Sequence, residues 1–133
     1  MRSYLLDTDT CVYAINGKGA VLTKMAAKSP AAIFVSVITE AELRAGATKS
    51  ASPIKAQRAL EAFLSPLQIV DMTSADAISY AHVRAALEKK GTPIGPLDML
   101  IAAQALARGH WIVTNNEREF RRVHNLHLEN WAA

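Results

Sequence analysis

The order of segments along the chain is the feature that most restricts its fold. Short apolar runs rich in β-branched residues alternate with longer segments that have helical periodicity. Strands are predicted at residues 3–7, 32–37, 67–71 and 110–114, with a short last one near 126–130. Strands that alternate with helices favour an α/β fold, with helices on both faces of a mostly parallel sheet of about four to five strands.

Capping residues indicate where the helices begin and end. Thr73 and Asp76 match a capping box, and Gly91 follows the same segment, so one long amphipathic helix is predicted between these signals. Gly17 is predicted to end the helix after the first strand, and Gly46 the helix after the second.

Length and composition predict a single globular domain over residues 1–133. Half of the residues are hydrophobic and 20% are charged, as in a chain with a packed core. No apolar run reaches the roughly 18 residues of a membrane span, so we expect no membrane contact. The single cysteine, Cys11, excludes an internal disulfide and favours a cytoplasmic setting. Lys and Arg outnumber Asp and Glu by 15 to 12, a weak indication of a nucleic-acid or acidic protein partner.

Acidic and amide side chains follow several of the predicted strands. Asp7 and Asp9 follow the first strand, Glu42 lies in the helix after the second, and Asn116 comes soon after the fourth. Ligands of such sheets bind beyond the carboxyl ends of the strands, so these side chains are expected to converge. Asp7 or Asp9 could equally cap the following helix. Two acids on either side of Thr8 are also a common way to hold a metal.

Asp98 lies at the start of a helix that is otherwise apolar. With Gly95 as the N-cap and Pro96 as the first helical residue, its charge would favour the helix dipole by roughly 0.3–1 kcal/mol. However, a helix that is apolar all round is usually buried, and a buried carboxylate needs a partner. No Lys or Arg lies between Lys90 and Arg108. The local sequence therefore favours a site role for Asp98, with a bound cation as its partner.

Other acidic positions have a simple structural explanation. Thr39 and Glu42 match a capping box, so on this fragment alone Glu42 is interpreted as structural. Glu117 and Glu119 precede two arginines, which is typical of a solvated helix face with ion pairs. The four histidines show no spacing that is typical of zinc ligands.

Four segments together resemble the PIN-domain ribonucleases, and among them the VapC-like toxins of bacterial type II toxin–antitoxin modules. In chain order they are "YLLDTDTCVYAI", "VSVITEAELRAGA", "GTPIGPLDMLIAAQALARG" and "WIVTNNEREFRRVHNLHLENW". The resemblance covers essentially the whole chain and implies a PIN-like fold. Two positions depart from the pattern of many relatives: residue 9 is Asp instead of Asn, and residue 116 is Asn instead of a fourth aspartate.

The resemblance implies an endoribonuclease that cleaves RNA with water activated by a metal. The residues that it assigns to catalysis are Asp7, Thr8, Glu42, Asp98, Asn116 and Glu119. Asp7 and Asp98 would bind the metal directly, whereas Glu42 and Glu119 would act through water or as outer groups. Asp9 is the alternative to Glu119 as the fourth acid. Carboxylates without His or Cys select hard ions, which predicts Mg²⁺ or Mn²⁺.

The resemblance also implies partners. RNA is the expected substrate, tRNA above all, with the anticodon loop of initiator tRNA as the first candidate. A VapB-like antitoxin is expected to inhibit a toxin homodimer within a larger complex, and DNA would be contacted only through that antitoxin. The apolar residues that could form a groove for this antitoxin, although their default interpretation is simply core, are Leu43, Ala47, Leu60, Phe63 and Leu64. Two other functions stay open: a non-catalytic PIN-like domain that binds RNA or a partner, and a metal-independent nuclease that uses histidine.

Overall fold

Five short strands form the centre of the structure, a computed structural model that describes residues 2–133. They are β1 (Tyr4–Leu6), β2 (Ile33–Ser36), β3 (Gln68–Val70), β4 (Trp111–Val113) and β5 (Leu128–Glu129). Their order in the sheet is β3-β2-β1-β4-β5, and each neighbouring pair is parallel. The central strand is β1, in which Leu5 lies opposite Phe34 on one side and Ile112 on the other. The predicted parallel sheet is confirmed.

Helices connect the strands. They are α1 (Thr8–Ile15), α2 (Val21–Ala26), α3 (Val37–Thr48), α4 (Pro53–Leu64), α5 (Ser74–Lys90), α6 (Pro96–Arg108) and α7 (Glu117–Phe120), with a 3₁₀ turn at Pro30–Ala32. The capping box of α5 is present as predicted, because Thr73 and Asp76 each accept a hydrogen bond from the other's backbone amide. Within residues 2–133, none of these helices is long and apolar enough to cross a membrane.

The two faces of the sheet are covered by different helices. Tyr4 and Leu6 of β1 pack into a core cluster with residues of α1 to α4. Leu5, which points to the other face, belongs to a second cluster with residues of α5 and α6. All three side chains are buried, since a parallel sheet covered on both faces buries every position of its central strand. The predicted placement of helices on both faces is therefore confirmed.

Gly46 does not end a helix, which corrects one prediction. The helix α3 runs through Gly46 to Thr48. A glycine ends a helix where its backbone turns left-handed, as Gly91 does after α5 with φ +68°. Gly17, which follows α1, has φ +67°, whereas Gly46 is not among the residues with positive φ. Without that turn, a glycine in an exposed helix position costs stability but does not stop the helix.

The start of α3 also differs from the prediction. Ser36 is its N-cap, and the Ser36 hydroxyl accepts a hydrogen bond from the amide of Ile38 at 3.0 Å. Thr39 lies inside the first turn, where it is buried. The capping box predicted for Thr39 and Glu42 is therefore wrong, and Glu42 is free of that structural role.

A buried ion pair joins the start of α5 to the end of α6. Asp76 is 1% exposed, and its Oδ2 accepts hydrogen bonds from Arg108 at 3.1 Å and from the amide of Thr73 at 2.9 Å. Burial opposes the charge of Asp76, but the Thr73 amide and the Arg108 guanidinium outweigh that effect, so the pKa of Asp76 lies below its usual value. This pair fixes the antiparallel packing of the two helices.

Replacing Arg108 by Ala should lower the free energy of unfolding by about 1.5–3 kcal/mol at pH 7, because it removes a charged hydrogen bond from a buried carboxylate. Because the pKa of Asp76 is lowered in the folded state, the wild-type advantage should shrink as the pH falls and Asp76 becomes protonated. The measurement is urea unfolding at several pH values. Arg84→Ala is the control, since its pair with Glu88 is exposed and should contribute less than about 1 kcal/mol. Equal losses in the two variants would contradict the assignment.

Candidate active site at the carboxyl ends of the strands

Asp7 directly follows the central strand and is the N-cap of α1. Its Oδ1 accepts a hydrogen bond from the amide of Thr10 at 2.9 Å, and its Oδ2 accepts one from the hydroxyl of Thr114 at 2.6 Å. The side chain is only 2% exposed. Burial raises the pKa of Asp7, and the hydrogen bonds from Thr114 and Thr10 offset part of that rise. Capping and a site role are therefore compatible, because both oxygens are fixed in place.

Glu42 is connected to the neighbourhood of Asp7 by a hydrogen bond from Thr8, the residue that follows Asp7 in the chain. The hydroxyl of Thr8 donates to Oε1 of Glu42 at 2.6 Å, and it also lies 3.2 Å from the hydroxyl of Thr39. Thr8 is the first residue of α1, and Glu42 lies one turn into α3. The structure thus brings together two residues that are far apart in the sequence and that the sequence analysis assigned to one site.

Asp98 lies in the first turn of α6, at the position predicted for it. Gly95 is the N-cap of this helix and contributes no capping side chain. The pKa of Asp98 is raised to about 6, first by burial and then by the negative charges of Asp7, Glu119, Glu42 and Asp9, in that order of size. No Lys or Arg in residues 2–133 forms an ion pair with Asp98. The charge of this carboxylate is therefore opposed by burial and by the neighbouring acids, with no cation of residues 2–133 paired to it.

A chain of hydrogen bonds connects Glu119 to the centre of the site. The Thr114 hydroxyl, which donates to Asp7, accepts a hydrogen bond from the amide of Asn116 at 2.8 Å. The Asn116 side-chain amide in turn donates to Glu119. The negative charge of Glu119 raises the pKa of Asp98 more than the charge of Asp9 does. That order favours Glu119 as the fourth acid, although the choice stays a prediction.

The donor set of this site consists of carboxylates and hydroxyls. As the side chains are placed, no group of three or more His, Cys, Asp and Glu residues within residues 2–133 surrounds a metal position. Burial raises the pKa of Asp98 most, and the neighbouring carboxylates add a repulsion that a bound cation would relieve. Oxygen ligands alone suit Mg²⁺ or Mn²⁺. The chemistry of these side chains therefore fits such an ion, and the metal stays a prediction.

Known proteins resemble this chain over nearly its whole length. The PIN-domain family profile matches residues 4–126. A protein of Salmonella typhimurium named tRNA(fMet)-specific endonuclease VapC is 38% identical over 132 residues, covering 99% of this chain and 100% of the relative. Ribonuclease VapC2 of Rickettsia felis is 43% identical over 131 residues, covering 96% and 97%. The chain belongs to the PIN-domain family, among the VapC ribonucleases.

Solved structures of VapC in complexes have the same fold as this PIN domain. The complex VapBC2 from Rickettsia felis, bound to a DNA fragment from its promoter, contains a chain that matches with a TM-score of 0.91 and 40% identity, covering 96% of this chain and 98% of that chain. The DNA-bound VapBC from Salmonella typhimurium matches with a TM-score of 0.93 and 38% identity, covering 98% and 99%. The PIN fold implied by the sequence is therefore confirmed.

One positioning residue of this PIN-domain site is not among those that the sequence analysis assigned to catalysis. Thr114 is fully buried and donates to Asp7, so it positions a carboxylate. Its signal in the sequence is weak, because a threonine after a strand is common. The parallel pairing of β1 with β4, which puts Leu6 opposite Val113, is what brings Thr114 beside Asp7.

Replacing Asp98 by Asn should raise the stability of the metal-free protein. Because the folded-state pKa of Asp98 is about 6, its charged form destabilises the fold above that pH. This loss of folding stability disappears as the pH falls towards 4, where Asp98 is protonated in the folded protein. After allowance for solvent screening, we expect a gain of about 1–2 kcal/mol at pH 7.5 in EDTA and almost none at pH 4. Chemical denaturation at the two pH values measures both. A loss of stability at pH 7.5 would mean that Asp98 only stabilises the helix terminus.

Proposed function

We propose that this chain is a metal-dependent endoribonuclease and the toxin of a toxin–antitoxin pair. The observation that carries the proposal is the group of carboxylates around Asp98, whose pKa is raised to about 6 at the carboxyl edge of a PIN-domain sheet. A scaffold that only binds RNA gains nothing from acids that repel both each other and the phosphate backbone. The cytoplasm is the compartment that this function requires.

Asp7 and Asp98 would hold the ion, with Glu42 and Glu119 around it. When bound, Mg²⁺ or Mn²⁺ lowers the pKa of a bound water and stabilises the charge that develops on a phosphodiester. Hydrogen bonds within the chain hold two of these carboxylates in position. Thr10 and Thr114 fix both oxygens of Asp7, while Thr8 orients Glu42.

The positions of His110 and His127 disfavour a histidine-based nuclease that would use these two residues. His110 and His127 directly precede β4 and β5, which places them at the edge of the sheet opposite to Asp7. His110 is hydrogen-bonded to Ser3, and His127 stacks on Trp111. Both contacts are structural.

RNA cleavage by the wild type should require Mg²⁺ or Mn²⁺, and EDTA should abolish it. Asp98→Asn should lower the rate by about 100-fold or more while the protein stays folded, because it removes a charge that has no substitute. A cleavage assay on total tRNA and on single-stranded RNA measures both effects. Activity that survives EDTA would support the histidine mechanism, and a wild type without activity under any metal would support the non-catalytic alternative.

The outer acids can be tested with a matched pair of variants. Glu119→Gln and Glu42→Gln should each lower activity by about tenfold or more, since outer-shell partners contribute that much, with almost unchanged melting temperature. Glu117→Gln is the control, because Glu117 belongs to an exposed ion pair with Arg121. If Asp9→Asn lowers activity and Glu119→Gln does not, Asp9 is the fourth acid.

A tRNA is the substrate that we propose first. The relative from Salmonella typhimurium is named a tRNA(fMet)-specific endonuclease and is 38% identical to this chain. The formal net charge of +3 suits a polyanionic substrate. Comparison of initiator tRNA with elongator tRNAs in the same cleavage assay separates this substrate from the others.

We propose that a VapB-like antitoxin inhibits the enzyme by occupying a groove beside the carboxylates. This groove, of about 610 Å³, lies between α1, α3 and α4 and includes Thr8 and Glu42 at one end. Leu43, Ala47 and Leu60 line it as the sequence analysis expected. Phe63 and Leu64 do not line it, and both pack in or against the core cluster on this face of the sheet. Assembly around two toxin copies, with DNA bound through the antitoxin, is part of this proposal.

An antitoxin Arg that enters the acidic site would pair with two carboxylates at once. Its replacement by Ala should therefore weaken inhibition, and Mg²⁺ should compete with the wild-type side chain. The measurement is RNA cleavage by the purified complex of this chain with the product of the neighbouring gene, at increasing Mg²⁺. Inhibition that is independent of both the Arg and Mg²⁺ would contradict this account of the partner.

A further inference from the structure

A second cavity, of about 190 Å³, lies on the face of the sheet that α5 and α6 cover, between α5, the end of α6 and the segment that follows α7. Its apolar wall is formed by Val83, Leu87, Leu106 and Val123. Val83, Leu87 and Val123 are buried in the second core cluster, so this wall is held by the fold. The cavity is smaller than the roughly 300–1,000 Å³ pockets that take drug-sized ligands. It has room for one small ring system.

Basic side chains surround this apolar wall. His82, Lys90, Arg122 and His124 line the cavity, and no acidic residue does. Within residues 2–133, neither Lys90 nor Arg122 is in an ion pair. The arginines that are in ion pairs are Arg2, Arg44, Arg84, Arg108 and Arg121. The positive charge at this cavity is therefore available to an anionic ligand.

Arg122 connects the cavity to the candidate active site. Its guanidinium donates to the carbonyl of Pro93 at 2.9 Å. Pro93 lies in the short loop that ends at Gly95, the N-cap of the helix that carries Asp98. Arg122 also follows closely after Glu119 in the chain. The loop before Asp98 and the segment after Glu119 therefore both lead from the acidic site to the cavity.

We propose that this cavity receives one unstacked base of the RNA strand, while Lys90 and Arg122 contact a phosphate beside it. The proposal rests on the ribonuclease function proposed above. Proteins bind single-stranded RNA by taking splayed bases onto apolar surfaces and by placing cations along the backbone. Because the carboxylates repel phosphate, affinity for RNA has to come from a neighbouring surface. A protein partner would need a much larger contact, of about 800 Å² on each side.

Two matched pairs of variants test the cavity. Ala86 lines it, whereas the neighbouring Ala85, also exposed on α5, does not. Ala86→Phe should fill the space for the base, and Ala85→Phe adds the same ring elsewhere. Lys90→Ala removes a cation at the cavity. Lys89→Ala makes the same change of charge in the same last turn of α5, away from the cavity.

Binding is measured in EDTA with a fluorescein-labelled single-stranded RNA hexamer, so that cleavage plays no part. Ala86→Phe and Lys90→Ala should raise the dissociation constant about fivefold or more, as the loss of a base contact does, and their controls should not. Lys90→Ala should also lower the slope of log affinity against log salt by about 0.7. In the metal-dependent cleavage assay, Ala86→Phe should raise KM and leave kcat unchanged. Thermal melting confirms that each variant is folded.

A second measurement uses the wild type alone. Titration with adenosine 5′-monophosphate should shift the methyl NMR signals of Val83, Leu87 and Val123, and ribose 5-phosphate should not shift them to the same extent. Equal shifts by the two compounds would show a phosphate site without a base site and would overturn the proposal.

The remaining outcomes separate this proposal from the proposed function. Wild-type binding of the RNA no tighter than that of Ala86→Phe overturns the cavity proposal, whether or not the protein cleaves RNA. Cavity-dependent binding by a wild type that cleaves no RNA supports the cavity and overturns the ribonuclease function. If Ala86→Phe keeps its affinity for RNA but loses the antitoxin, the cavity is a protein interface and the proposal is wrong.

Discussion

The parallel pairing of the central strand β1 with β2 and β4 brings together Asp7, Glu42 and Thr114 at one edge of the sheet. Parallel strands end at the same edge of a sheet, so the segments that leave them start close together. Asp7 leaves β1, α3 with Glu42 leaves β2, and Thr114 leaves β4. The hydrogen bond between Thr114 and Asp7, at 2.6 Å, joins two of these segments directly. A change in this pairing would separate the site without altering any of its residues.

The site holds its acids together against their mutual repulsion. Asp98 has a pKa of about 6, because burial and four neighbouring carboxylates oppose its charge. The fold tolerates this arrangement because hydrogen bonds from Thr10 and Thr114 hold Asp7, while Thr8 and Asn116 hold two further acids. Elsewhere in residues 2–133, the buried acid Asp76 is paired with Arg108. Asp76 therefore has a cation as its partner within the fold, whereas Asp98 has none among residues 2–133.

The surroundings of the carboxylates divide into two different surfaces. On one side, the groove between α1, α3 and α4 offers apolar and small side chains next to Glu42, which suits an extended protein segment. On the other side, the cavity at α5 combines an apolar wall with unpaired cations. In the proposed function, the two surfaces would keep the RNA and the inhibitor apart, because a polyanion and a cationic partner side chain respond oppositely to the charge of the acidic centre.

The sequence by itself determined the elements that local rules govern. The alternation of strands and helices, the capping box of Thr73 and Asp76 and the helix start at Gly95 were all predictable, because neighbours in the chain decide them.

Local rules failed at Glu42, whose capping pattern with Thr39 was overridden when Ser36 became the cap. They also failed at Gly46, which stays in the helix because no left-handed turn is required there. The helix α2 was not predicted, because its N-cap, Ala20, has no side-chain group that could signal a helix start. Only the tertiary structure decided that Thr8 meets Glu42, that Thr114 meets Asp7, and that Arg122 reaches Pro93, because these contacts cross between elements and depend on strand order and register.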